Sequence, residues 1–303
     1  MILVFLEDKK LLTKTITYLE NVSLSYTTDL NVEYEYVLIG EANNKIMKLL
    51  DEIDLKTKKI IFLSYLEEEN ILKNKINDKL NKILNKSYKI IVSLPSIKNI
   101  LKKKIKNDIV IIERELPIIS ISKNNSEIYN KYKISKRKKK ILLFDFDYNN
   151  IEIIHELATK YNKINFIYVG FKSDYLIKEK QLNLLYNMPK NVTLVKYFDF
   201  NILSDLVKVS SLVINFETIK FNIEYLYMIL LFKKQLLTKE SIMYEDYLIN
   251  SKNAYIFKDN KDLLIRLNKV LSDRVANLSE NGYLLIKDNT FNEIAKKYSF
   301  YIK

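Results

Sequence analysis

The chain has 303 residues, 48% of them apolar, which is about twice the length of a typical domain and enough to form two separate cores. It carries no cysteine and a single histidine, His155, which excludes disulfides, thiolate nucleophiles, cysteine-ligated zinc and His-rich metal centres. The formal charge of +13 is uneven: residues 1–140 hold 28 Lys and Arg against 18 Asp and Glu, and the remainder 22 against 19, so the excess that would attract an anionic partner lies in the first part of the chain.

Buried parallel strands read as short continuous β-branched runs and crossover helices as a 3.6-residue period, and the chain alternates between the two. Strands are predicted at 2–6, 35–39, 59–65, 89–93 and 108–113, with helices at 10–22, 43–55, 67–86 and 96–106 between them. Residues 122–140 (SKNNSEIYNKYKISKRKKK) end in a hydrophilic block with no periodic apolar face and read as a basic linker. A second cycle follows: strands at 141–145, 164–169, 192–196, 211–215, 235–238 and 254–257, and helices at 149–161, 201–209, 219–232, 260–272 and 289–298. Because each parallel return needs a crossover, this order predicts two doubly wound α/β domains, 1–121 and 141–303, joined by the linker.

No apolar run approaches the roughly 20 residues of a membrane-spanning helix, and YLYMILLF (225–232) closes at Lys233 and Lys234 and reads as a buried helix. The opening MILVFLED has no basic region before its apolar stretch and no small-residue cleavage site after it, so no export signal is expected and the expected location is cytoplasmic.

The run NVTLVKYFDFNILSDLVKVSSLVINFE (191–217) resembles the stretch of retaining family 4 glycosyltransferases in which an Asn-Val strand precedes a short helix, a strand and a Glu-bearing loop. FKKQLLTKESIMYEDYLINSKNAYIFKDNKDLLIRLNKVLSD (232–273) is similar to the next segment of that family, and KIIVSLPSIKNILKKK (89–104) to the strand, Pro-Ser turn and helix that close its N-terminal domain. The resemblance implies a GT-B fold, two Rossmann-like domains with parallel sheets facing across a cleft. It also implies transfer of a hexose from a nucleotide-sugar to a glycan, lipid or protein hydroxyl, in cell-envelope or surface-protein glycosylation, with no metal cofactor. Three features depart from the family. Glu217 and Glu224 are seven positions apart where the family has eight, with Tyr225 at the eighth; Asp145 and Asp147 stand in place of an Arg and a Lys; and only Gly40, Gly170 and Gly282 are present, so no Gly-rich loop exists. An eroded donor site of this kind also resembles the non-catalytic partner subunit of the glycosyltransferase pair that modifies serine-rich adhesins, with INFETI (214–219) at that partner's characteristic turn.

In open α/β sheets ligands bind at the carboxyl ends of strands, which directs attention to Asn215, Glu217 and Thr218. Glu217 is the expected catalytic residue, accepting hydrogen bonds from a sugar hydroxyl, Asn215 is expected to contact the donor, and Thr218 with the first-turn amides to face a phosphate; the alternative is that Thr218 caps the helix and Glu217 is solvated. Glu224 lies two helical turns on, and Gly170 and Lys172 follow the second strand, where Lys172 is the replacement cation for a diphosphate. Glu7, Asp8, Ser64 and Ser93 end strands of the first domain and are expected to face the acceptor. Lys136–Lys140 and Lys102–Lys104 with Lys106 suit peripheral contact with anionic headgroups at the inner face of a membrane, or a solvated linker. A basic chain with many tyrosines is also compatible with nucleic acid, but no helix-turn-helix, RNA-recognition or zinc-finger signature is present, and no nucleic-acid partner is expected.

Overall fold

A computed structural model describes residues 1–53, 58–119, 124–146, 148–170, 178–196, 198–217, 223–245 and 247–302. The chain forms two compact units, Met1–Glu115 with Asp288–Lys303, and Leu116–Lys287.

The first unit is built on a six-stranded, all-parallel sheet. Its strands are β1 (Ile2–Phe5), β2 (Tyr26–Thr27), β3 (Tyr36–Ile39), β4 (Lys59–Leu63), β5 (Lys89–Val92) and β6 (Asp108–Ile111), in the order β2-β1-β3-β4-β5-β6. Helices cover both faces, so Leu3, Val37, Leu38, Phe62, Ile90 and Ile91 are buried without a polar alternation. The helix predicted at 67–86 is two helices, Glu68–Leu72 and Asp78–Lys86. Asn74 takes a left-handed φ of 57° that ends the first, and the Asn77 side chain accepts from the Leu80 amide to start the second.

The helix Phe291–Ile302 belongs to this unit and not to the second half of the chain, where its position in the sequence had placed it. It buries Ile294, Ala295, Tyr298 and Ile302 beside the helix Lys9–Asn21, with the Tyr18 ring 4.9 Å from both Tyr298 and Phe291. Each such large side chain contributes roughly 1.5–3 kcal/mol on burial, which outweighs the chain connectivity in fixing where the helix packs.

The second unit repeats the plan with β7 (Lys140–Phe144), β8 (Asn165–Val169), β9 (Val192–Val195), β10 (Leu212–Asn215), β11 (Gln235–Lys239) and β12 (Tyr255–Phe257), all parallel, in the order β12-β11-β10-β7-β8-β9. The stretch read as a linker contains the helix Asn125–Lys131, which buries Ile128, and Ile134 is buried just beyond it. Lys140, counted with the basic run, is buried as well: its ammonium donates to the carbonyls of Lys136 and Lys138 and lies 4.7 Å from the centre of the Tyr129 ring. Burial lowers its pKa. Helices Glu179–Tyr186 and Ser279–Leu284 complete the unit. Among the described residues no helix is long and apolar enough to cross a membrane.

Candidate functional site

In the second unit the chain runs from β7 outward through β8 and β9, then returns to the other side of β7 for β10, β11 and β12. The reversal leaves a crevice between the carboxyl ends of β7 and β10, which are paired with Phe144 opposite Asn215. Two loops border it, Asp145–Asn150 after β7 and Phe216–Glu217 after β10.

Asn215 is fully buried and committed to its own loop. Its Nδ2 donates to Thr238 Oγ1 at 3.0 Å and to the Glu217 carbonyl at 2.9 Å, while its Oδ1 accepts from the Glu217 amide at 3.0 Å. That double bond to one backbone position turns the chain so that the half-buried Glu217 side chain crosses to the neighbouring loop, where its Oε1 accepts from the Phe146 amide at 2.5 Å. Glu217 thus joins the two sides of the crevice.

The carboxylate of Asp145, which stands where the resemblance implies a cation, points inward. It is 1% exposed, and its oxygens accept from the Asn150 amide at 2.9 Å, Asn150 Nδ2 at 3.0 Å and the Tyr168 hydroxyl at 2.7 Å. Burial raises its pKa above the ordinary aspartate value, and the hydrogen bonds oppose the shift. Burial, then the Asp145 charge, pushes the Tyr168 hydroxyl far up. Gly170 follows β8, and packing explains the glycine: a Cβ there would stand 2.3 Å from Cε1 of Tyr148, a fully buried ring carried by a backbone with φ of 57°. Glu224 lies half-buried in the first turn of Ile223–Leu231. Lys172, Thr218 and Asp147 lie outside the described residues.

Position 225 carries no carboxylate and joins an aromatic cluster instead. The Tyr225 ring centre lies 6.3 Å from Phe144, 6.1 Å from Phe146 and 6.2 Å from Phe200, and Phe146 stacks on Phe198 at 5.7 Å. Phe198, Phe200 and Tyr225 remain half-buried, which leaves part of an aromatic surface beside the crevice. Burial, and then the Glu224 charge, raise the Tyr225 hydroxyl pKa.

Sequence reading missed a cavity of about 520 Å³ at the ends of β11 and β12, lined by Asn150, Lys239, Phe257, Lys258, Asn260 and Lys261, with Asp259 at its edge. The signal was available in the residues that immediately follow each predicted strand, Lys239 after 235–238 and Lys258 after 254–257.

The first unit has its own reversal, between β1 and β3. A cavity of about 430 Å³ there is lined by Glu7, Asp8, Glu41, Asn43 and Glu67 among others. Glu41 accepts from the amides of Glu7 at 3.1 Å and Asp8 at 2.7 Å, and Asn43 Nδ2 donates to Glu7 at 2.7 Å and to Glu41 at 3.0 Å. Ser64 and Ser93, expected to face an acceptor, are buried, and Ser93 donates to Glu68 at 2.6 Å.

Two parallel six-stranded sheets, each doubly wound in its own unit, are the architecture of the GT-B glycosyltransferases, and the chain has that fold. Anabaena HepE in complex with UDP and glucose matches at 10% identity over 100% of this chain and 99% of that one, with a TM-score of 0.70. A glycosyltransferase from Rickettsia africae matches at 13% identity, 99% and 96% coverage and a TM-score of 0.66. The pneumococcal O-GlcNAc transferase GtfA in complex with UDP and GlcNAc matches at 12% identity over 96% of this chain and 60% of that one, with a TM-score of 0.59. No family model and no curated protein matches the sequence. At these identities the likeness is one of fold.

Proposed function

We propose that the protein is a glycosyltransferase that moves a hexose from a nucleotide-sugar to the hydroxyl of a glycan, lipid or protein acceptor in cell-envelope or surface-protein glycosylation. The observation that carries the proposal is the β7/β10 crevice, where a half-buried glutamate is oriented by a backbone amide of the facing loop. HepE with UDP and glucose and GtfA with UDP and GlcNAc, on the same fold, support the choice of donor. Glu217 accepts hydrogen bonds from the sugar hydroxyls, and the aromatic surface of Phe198, Phe200 and Tyr225 offers a planar ring a stacking partner. The acceptor oxygen forms its bond to the anomeric carbon as the bond to the β-phosphate oxygen breaks. The nucleoside diphosphate leaves with the electron pair, and the hydroxyl proton passes to the departing phosphate or to a carboxylate. Cations and helix amides stabilise the charge on the diphosphate, so the transfer needs no metal ion. The acidic pocket of the first unit, around Glu7 and Glu41, suits a polyhydroxylated acceptor whose hydroxyls donate to carboxylates.

A second reading has its own support. Asp145 is fully engaged in an internal network and Tyr225 in an aromatic cluster, so neither offers a ligand what the family's residues offer there. A non-catalytic GT-B subunit that binds an acceptor protein and supports a partner glycosyltransferase accounts for both.

Thermal shift with UDP, UDP-glucose and UDP-N-acetylglucosamine on the wild type and on Glu217→Ala separates the readings. A ligand at a hundred times its Kd stabilises by about 2.7 kcal/mol. The donor reading expects a shift with at least one of them and a smaller one in the variant. No shift with any of them leaves the non-catalytic reading.

A further inference from the structure

We infer that the carboxyl edge of β11 and β12 forms a separate subsite for a phosphate group, held by Lys239, Lys258 and Lys261. Other cations of the same unit sit against carboxylates: Lys180 on Glu152 at 2.7 Å, Lys233 on Glu280 at 2.9 Å and Arg266 on Asp262 at 2.8 Å. The three cavity lysines form no ion pair among the described residues. The one carboxylate at the cavity, Asp259, is committed to the backbone, where its Oδ1 accepts from the Asp262 amide at 2.9 Å and starts the helix Asn260–Leu271. Three lysines therefore line a concave space of about 520 Å³ in which Asp259, already engaged, is the one carboxylate among the described lining residues. A bound anion offsets this excess of positive charge, and the concavity concentrates the field on it.

Position and chemistry agree. Lys239 is the last residue of β11 and follows Thr238, which is paired with Asn215 of the crevice. Asn150, which lines the cavity, precedes a helix that has no side-chain cap, so its first-turn amides add partial positive charge at this edge. Lysine is a point charge suited to phosphate, whose oxygens accept from several directions. The volume is that of a small-molecule pocket and exceeds what a bare ion fills, so the ligand is a phosphorylated compound, either the diphosphate of a nucleotide or a phosphate carried by a second substrate.

The inference does not depend on sugar transfer, and its test is separate. Pyrophosphate is titrated calorimetrically into the full-length protein, into Lys239→Ala/Lys258→Ala/Lys261→Ala, and into a charge-matched control at three exposed lysines of the other unit, Lys48→Ala/Lys75→Ala/Lys79→Ala. Binding is expected in the wild type, weaker by at least about tenfold in the cavity variant and within about twofold in the control. Equal affinity in the cavity variant, equal loss in the control, or no binding to the wild type overturns the subsite. The single variant Lys258→Glu, at an exposed position, supplies the same comparison should the triple variant fold poorly. A parallel arm adds saturating UDP first: competition with pyrophosphate assigns the subsite to a nucleotide diphosphate, and simultaneous binding to the phosphate of another ligand. Failure of the nucleotide-sugar reading alone would show as pyrophosphate binding without any response to UDP.

Discussion

Both units are built on a six-stranded, all-parallel sheet, with one strand beyond the reversal in the first and two in the second, and they differ in the charge that lines the carboxyl edge. In the first, Arg114 is consumed internally, donating to the buried Glu68 at 3.1 Å and to the Tyr65 carbonyl at 3.1 Å, and Lys45 pairs with Glu7 at 2.6 Å, while Glu7, Asp8, Glu41 and Glu67 line the cavity. In the second, the acid Asp145 is consumed internally and Lys239, Lys258 and Lys261 line the cavity. The two cavities therefore differ in the sign of the charge that lines them. Under the proposed function, a phosphorylated donor would be placed at the second and a hydroxyl-rich acceptor at the first.

The sharpest break of that comparison is Arg114→Ala. It leaves Glu68 buried beside Ser93 without its cation, and chemical denaturation is expected to show a loss of about 3 kcal/mol; a loss below about 1 kcal/mol would mean that the pair is not what organises the first edge. On the second edge, Gly170→Ala drives a methyl into the Tyr148 ring, and denaturation should register about 2 kcal/mol of destabilisation, restored in part by Tyr148→Leu. Asp259→Ala removes a helix cap at a cost of about 1 kcal/mol, yet it also deletes the counter-charge among the cavity lysines. The same variant should therefore melt earlier and bind pyrophosphate more tightly, and weaker binding would contradict the electrostatic account.

The smallest expected effect is in pH dependence. Asp145 has a raised pKa in the folded state, so between the ordinary aspartate value near 3.8 and its folded value the native protein holds a proton that the unfolded chain has released. Its contribution to stability is present below that window and is lost as pH rises through it. Asp145→Asn removes this titration, so the difference in stability between the wild type and the variant should fall as pH rises through that window, whatever the absolute offset. Parallel curves would show that the buried carboxyl does not titrate there.

Most strands were legible because parallel strands buried on both faces leave uninterrupted apolar runs, such as KIIV and ILLF. Tyr26–Thr27 was not, since a two-residue edge strand buries too little to leave a pattern. The helix Phe291–Ile302 was found as a helix but assigned to the wrong unit, because an amphipathic stripe says that a face is covered and not by what. At the site, the position of Asn215 and Glu217 at a strand end bordering the crevice was legible from the order of the strands. The orientation of Asp145 was not, as the residue after a strand can point in or out, and what decides it here is Tyr168, 23 positions on. The reason for Gly170 was hidden for the same cause: the ring it accommodates belongs to Tyr148, on another strand's loop. The three cavity lysines stand among 50 basic residues, and what sets them apart is that they line one cavity.

Hydrogen exchange with and without UDP tests the assignment of the donor to the second unit most directly. Slowed amide exchange over residues 144–150 and 214–217, with the segments at 6–8 and 40–43 unchanged, is the expected result. Protection confined to the acidic edge of the first unit would contradict it.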